Sequence, residues 1–213
     1  MQLISIRKKY YILPMSRWNY NSNTIKIEAN STYDDLVKFI DDFYEEATRL
    51  REKYSDKVAI LIGFECDWIR ESSLKLIEDL LQKHQFDLFV GSLHHVHTIP
   101  IDFDKKMYLD ARNVSGGTDE ELFEDYFNAQ YEMLKALKPP VVGHFDLIRL
   151  YSDEPNRSMK DFDQVWKKVQ LNLDFIAGYG GLLELNSSAL RKGMERPYPS
   201  TDICKVRTPL YIY

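Results

Sequence analysis

The chain has 213 residues, 44% of them hydrophobic, and a formal net charge of −5. That is enough for one substantial domain with its own core, while the acidic balance and the lack of a basic run argue against a nucleic-acid partner held through its phosphates. Two distant cysteines without CxxC spacing, Cys66 and Cys204, argue against a disulfide scaffold or a cysteine zinc site.

No apolar run approaches the ~20 residues of a membrane helix, and MQLISIRKKYYILPM carries no convincing cleavage site. The expectation is a soluble, cytoplasmic protein with no membrane partner. Residues 1–32 read as an irregular segment, because YNSNTIKIEANST is polar and turn-rich. Leu36, Ile40, Phe43, Ala47 and Leu50 then recur at spacings of four and three, the stripe of an amphipathic helix. Ser31 or Thr32 suits its cap, and Asp34 and Asp35 suit its positive end. VAILIGFEC, residues 58–66, reads as a strand buried on both faces. A second helix is expected over 72–83 with Leu74, Ile77 and Leu81 inward, and FDLFVGSL, residues 86–93, as the next strand.

A longer loop leads to Thr118, whose T-x-x-E spacing to Glu121 is that of a capping box. The helix it opens carries Leu122, Tyr126, Ala129 and Met133 on one face and ends before Pro139 and Pro140. VVGHFD, residues 141–146, is the third expected strand. Phe162, Val165, Val169, Leu173 and Ile176 mark another helix, stopped by Gly178, Gly180 and Gly181, and GLLELN, residues 181–186, is the fourth strand. Strand and helix alternate with crossovers long enough for parallel pairing, the pattern of an α/β sheet or barrel.

Each apolar strand ends in a residue able to bind a metal or move a proton: Glu65, then His94 and His95, then His144, then Glu184 and Asn186. Parallel α/β sheets and barrels gather ligands at the strands' carboxyl ends. Imidazole with carboxylate suits Zn²⁺, Mn²⁺ or Fe²⁺ rather than Ca²⁺. Taken singly, each residue also has a structural reading. Glu65 fits a paired surface acid, His144 a satisfied core histidine, and the HHVH run of His94, His95 and His97 a polar loop. His84, at a helix end where a cation is favoured, reads as structural.

The segments GFECDW, GSLHHVHTIPIDFD, YEMLKALKPPVVGHFDLIRL and GLLELNSSALRKGMERPYPS resemble, in order and spacing, motifs of the histidinol-phosphatases of the PHP type. The fungal branch is the most similar. The resemblance implies a distorted (β/α) barrel, mainly parallel, that occupies residues 33–204 here. It also implies a cluster of divalent metal ions, usually three, and metal-dependent hydrolysis of L-histidinol phosphate in histidine biosynthesis. On this likeness Glu65 corresponds to the carboxylate that bridges two metals, and His94 and His144 to ligands of the second. His95 and Asp102 would shape the substrate pocket, with Arg149, Arg191 and Lys192 as candidate phosphate binders.

The chemistry is coherent. Cations offset the charge by which a phosphate monoester repels hydroxide, and a guanidinium offers paired planar donors to the remaining oxygens. The H-x-H with which the family's motifs begin and the D-x-H with which they end are absent from these residues. The likeness therefore implies an incomplete barrel, cut short at both ends, with 205–213 as an aberrant tail. The alternative expectation is an inactive remnant that holds a metal without turnover.

Overall fold

A computed structural model describes residues 11–14, 18–21, 24–27, 33–71, 73–206 and 211–212, with side chains from residue 37 to 206. The chain divides into two compact units, Met1–Cys66 with Glu78–Phe89, and Asp67–Ile77 with Val90–Tyr213.

In the first unit, β1 (Tyr11–Pro14) pairs in parallel with β4 (Ile62–Asp67), from Tyr11 opposite Ile62 to Pro14 opposite Glu65. Between them in sequence, β2 (Trp18–Asn21) and β3 (Thr24–Ile27) form an antiparallel hairpin. The expectation that residues 1–32 are irregular is corrected by these strands. YILP and TIKI are short but carry the branched and aromatic residues that suit a pleated surface, and the polar flanks mask them. The expected first helix is α1 (Tyr33–Lys53), which buries Ile40 and Ala47.

Asp87 fixes the start of β4: its carboxylate accepts the Ile62 N–H at 2.7 Å and Arg51 Nη1 at 2.9 Å. His84 is structural, as expected: Nε2 lies 2.7 Å from Asp41 and the ring stacks on Tyr44 at 4.4 Å. The second expected helix, α2 (Ser73–Lys83), buries Leu76, Ile77 and Leu80. Leu81 instead is 38% exposed, because the inward stripe runs one position earlier than its spacing suggested.

In the second unit, the end of β5 (Leu88–Ser92) pairs in parallel with β8 (Val141–Val142), Val90 opposite Val141. Next come β9 (Leu182–Leu183) and β10 (Tyr211–Ile212), also parallel. Strand β10 lies within the segment 205–213 expected to be an aberrant tail. A small hairpin, β6 (His95–Val96) with β7 (Ile99–Pro100), stands apart from this sheet.

Residues 105–115, expected to be loop, form helix α3 (Lys105–Ser115). Asp104 caps it by accepting the Met107 N–H at 2.7 Å, so this aspartate of IPIDFD has a local structural role. Helix α4 (Asp119–Leu137) opens on the expected capping box, with Thr118 Oγ1 and the Glu121 carboxylate each accepting the other's backbone N–H at 3.2 Å. It packs on α5 (Asp163–Tyr179). Tyr126, Phe127, Met133 and Leu134 from α4, and Val165, Val169, Leu173 and Ile176 from α5, are all inaccessible to solvent. Burial of each such side chain is worth about 1.5–3 kcal/mol. Asn172 Nδ2 donates to the Phe127 carbonyl at 3.0 Å and to Gln130 Oε1 at 3.1 Å, so the two buried amides of this contact meet each other.

Short helices α6 (Ser188–Arg191) and α7 (Thr201–Cys204) follow β9. Within each unit the sheet pairings of the described strands are parallel, and only the two small hairpins are antiparallel, so the α/β, mainly parallel class holds.

Candidate metal centre

Strand β8 is only two residues long, against the six expected, and the reason lies at its end. A Cβ on Gly143 would sit 2.5 Å from Ser92 Oγ and 2.9 Å from Val90 Cγ1, so the backbone passes close to β5. Gly143 still donates to the Gly91 carbonyl at 2.9 Å. His144 then takes φ +23°, which turns the chain off the sheet into a 3-10 turn at Leu147–Tyr151. A residue with a Cβ is strained there. The Glu184 carboxylate holds it, accepting the His144 N–H at 2.9 Å and Asn186 Nδ2 at 3.0 Å.

His94 and His144 come from the ends of neighbouring strands, and their rings lie 4.6 Å apart, both buried. Asp67, the last residue of β4, is buried against His94 and His95. Its Oδ1 accepts the His94 N–H at 3.2 Å and lies 3.3 Å from His94 Nδ1, while Oδ2 lies 3.0 Å from His95 Nδ1. Burial alone would raise the Asp67 carboxyl, but the two imidazoles outweigh it and hold the group well below the usual carboxylate range. Glu65 precedes Asp67 by two positions on the same strand, so alternation turns both side chains to one face. One ligand atom from each of Glu65, His94 and His144 lies within 4.8 Å of the others.

The other expected site residues divide. His95 is buried against Asp67. Asp102 is half-buried, and its charge bears on the Tyr126 and Tyr198 hydroxyls, whose pKa values are raised chiefly by burial. Arg149 is 2% exposed and committed to the fold. Its Nε donates to Asp146 at 3.0 Å, Nη1 to the Pro155 carbonyl at 3.2 Å, and Nη2 to the carbonyls of Arg196 and Pro197, with the guanidinium over the Tyr198 ring. It is a bracket for the 194–200 segment. Arg191 and Lys192 are exposed at the end of α6.

His97, the third histidine of the loop, is outside the cluster: its Nε2 lies 2.8 Å from Asp125 and 3.1 Å from Ser115. Asp67 was not anticipated from sequence. The available signal was its place two residues after Glu65 on one strand face.

A mainly parallel α/β fold with imidazole and carboxylate donors at its strand ends defines the class. A family model described as PHP domain matches residues 21–188, and the chain belongs to that family. Two curated relatives are named for histidinol-phosphatase. That of Schizosaccharomyces pombe, so named provisionally, is 43% identical over 167 residues, covering 78% of this chain and 55% of the relative. That of Saccharomyces cerevisiae is 32% identical over 190 residues, covering 77% and 57%. The chain thus spans little more than half the length of either.

Among solved structures, a Listeria monocytogenes protein, named provisionally as a histidinol phosphatase, has a TM-score of 0.71 at 22% identity, over 96% of this chain and 80% of that one. A histidinol phosphate phosphatase of Lactococcus lactis, complexed with zinc, L-histidinol and phosphate, has a TM-score of 0.57 at 21% identity, over 69% and 53%. Both share this fold. No helix among the described residues is long and apolar enough to cross a membrane.

Proposed function

We propose that this chain holds a divalent cation on Glu65, His94 and His144 and acts as a histidinol-phosphatase, hydrolysing L-histidinol phosphate to L-histidinol and phosphate. The observation that carries this reading is the convergence of two buried imidazoles and one carboxylate within 4.8 Å. The donor set fits the group. Two imidazoles and a carboxylate suit zinc, manganese or ferrous iron, and Asp67 behind His94 is the outer carboxylate that metal-binding histidines commonly have. When bound, the cation would supply positive charge to the phosphate oxygens and lower the pKa of a water. The relatives' names and the zinc, L-histidinol and phosphate of the Lactococcus lactis complex favour this substrate.

The chain's own residues divide the remaining work. His95 and Asp102 take the organic half of the ester. Arg191 and Lys192, exposed after β9, supply cationic donors to phosphate oxygens. Arg149 is given a structural task in this reading, because its guanidinium donates to Asp146 and three carbonyls. A small-molecule partner in the cytoplasm fits this chemistry, and Cys66 and Cys204, which form no disulfide, suit a reducing compartment.

The test is phosphate release from L-histidinol phosphate with zinc, manganese or ferrous iron added in turn, for the native chain and Glu65→Gln. Turnover that the substitution abolishes supports the enzyme. A second reading, a metal-holding piece without turnover, is favoured by one observation: among the described residues, Glu65, His94 and His144 are the only group of such donors. Binding of a single cation with no release of phosphate, whichever metal is supplied, would establish that reading instead.

A further inference from the structure

Two amide side chains are buried among the apolar residues between α4 and α5: Gln130 is 1% exposed and Asn172 is inaccessible to solvent. Burying an amide costs free energy unless its polar atoms are matched, and here backbone carbonyls at both ends dictate which way each amide points. A carbonyl only accepts, so the group of Asn172 that lies 3.0 Å from the Phe127 carbonyl is its NH2. That NH2 also donates to Gln130 Oε1 at 3.1 Å, which leaves the Gln130 NH2 to donate to the Phe145 carbonyl at 2.9 Å. Flipping either amide would set an oxygen against a carbonyl oxygen. Tyr126, one helical turn before Gln130 on the same face of α4, donates its hydroxyl to the same carbonyl at 3.3 Å.

The carbonyl reached in this way belongs to the residue after His144, whose φ of +23° persists only if its surroundings impose it. The His144 N–H is tied to the Glu184 carboxylate at 2.9 Å, and its carbonyl accepts the Leu147 N–H at 2.9 Å. The bend is thus pinned from the sheet side by Glu184 and from the helix side by Gln130 and Tyr126. We propose that Gln130, oriented by Asn172, is a positioning residue for His144: it anchors the peptide after the bend and so holds the imidazole beside His94. That the held imidazole serves a cation rests on the proposed phosphatase site; the anchoring itself does not. A methionine would fill the volume of Gln130 without burying an amide, so packing alone does not account for the pair.

The test is hydrogen exchange followed by NMR on the chain without added metal. In the native chain the Gln130 carboxamide protons should exchange slowly, and rapid exchange would overturn the proposal before any variant is made. In Gln130→Met the His144 amide should exchange about tenfold faster, as loss of one hydrogen bond implies, while the interior amides of α5 keep their native rates. Zinc affinity in that variant, read by competition with a chromophoric chelator, should weaken by about tenfold, the low end for groups that support a metal ligand. Leu173→Ala opens space in the same helix contact and leaves both amides in place, so it should lower Tm with zinc affinity unchanged. Equal acceleration at His144 and along α5 in Gln130→Met, native zinc affinity in that variant, or an equal loss of affinity in Leu173→Ala would each overturn the proposal. Should Gln130→Met not fold, Asn172→Ala frees the Gln130 amide from its other side, and an unmoved His144 rate there is equally fatal. The two readings fail separately. A native chain that binds no zinc sinks the metal site and leaves the His144 exchange rate to decide the role of Gln130. Hydrolysis of L-histidinol phosphate with an unmoved His144 amide does the reverse.

Discussion

The φ of +23° at His144 makes a specific claim about stability at a ligand position. Suppose His144 is replaced by alanine in one variant and glycine in another. Both lose the imidazole and its contact with His94, so loss of the ring does not separate them. Alanine keeps a Cβ, which costs about 1–2 kcal/mol in the left-handed region. Glycine is relieved of that strain, but loses about 0.5–1 kcal/mol relative to alanine through the greater freedom of its unfolded chain. The Glu184 bond to the backbone N–H survives in both. The difference leaves glycine ahead by about 0.5–1 kcal/mol. With a urea slope of about 1–3 kcal/mol/M, the glycine midpoint should lie higher by several tenths of a molar unit. Urea denaturation followed by circular dichroism reads this directly, and zinc affinity should fall alike in the two variants. An alanine variant as stable as the glycine one, or more so, would refute the claim that His144 is held under strain.

Three further outcomes are expected. Gly143→Ala places a methyl group 2.5 Å from Ser92 Oγ and should destabilise by about 1–3 kcal/mol, seen as a lowered Tm. Thr118→Ala removes half of the capping box on α4 and should cost about 1 kcal/mol in urea denaturation, while Thr118→Ser stays near the native value. Arg149→Met leaves Asp146 buried without its guanidinium and should cost about 3–5 kcal/mol. Arg191→Met, at an exposed position, should stay within about 0.5 kcal/mol by the same measurement; comparable losses in the two would contradict the bracket role of Arg149.

The sequence was most legible where local and long-range signals agreed. The capping box at Thr118 opens α4, and Phe162 to Ile176 line the buried face of α5 as their spacing required. Glu65, His94 and His144 could be singled out as candidates because each follows an apolar run, and strand ends in parallel folds share a rim. Illegible features depended on partners remote in sequence. Asp104 offers the same carboxylate whether it caps a helix or meets a substrate, and only the fold shows that it caps α3. Arg149 follows an apolar segment as a phosphate-binding arginine would, yet the carbonyls of Arg196 and Pro197, far along the chain, claim it. The brevity of β8 turned on the backbone of His144, where strain forbidden by propensity is imposed by surroundings. Asp67 was overlooked because a carboxylate beside a candidate ligand reads as one more charge until the path of HHVH is known.

The register of β5, β8 and β9 bears on how this domain can change over time. Register, Val90 beside Val141 and Val141 beside Leu182, sets where each rim residue stands, and the lengths of the outer connections do not enter. Insertions after Tyr151 or exchanges along the outer faces of α4 and α5 can accumulate while the donors stay where they are. Relatives whose exteriors have drifted past easy recognition can therefore keep an interchangeable rim.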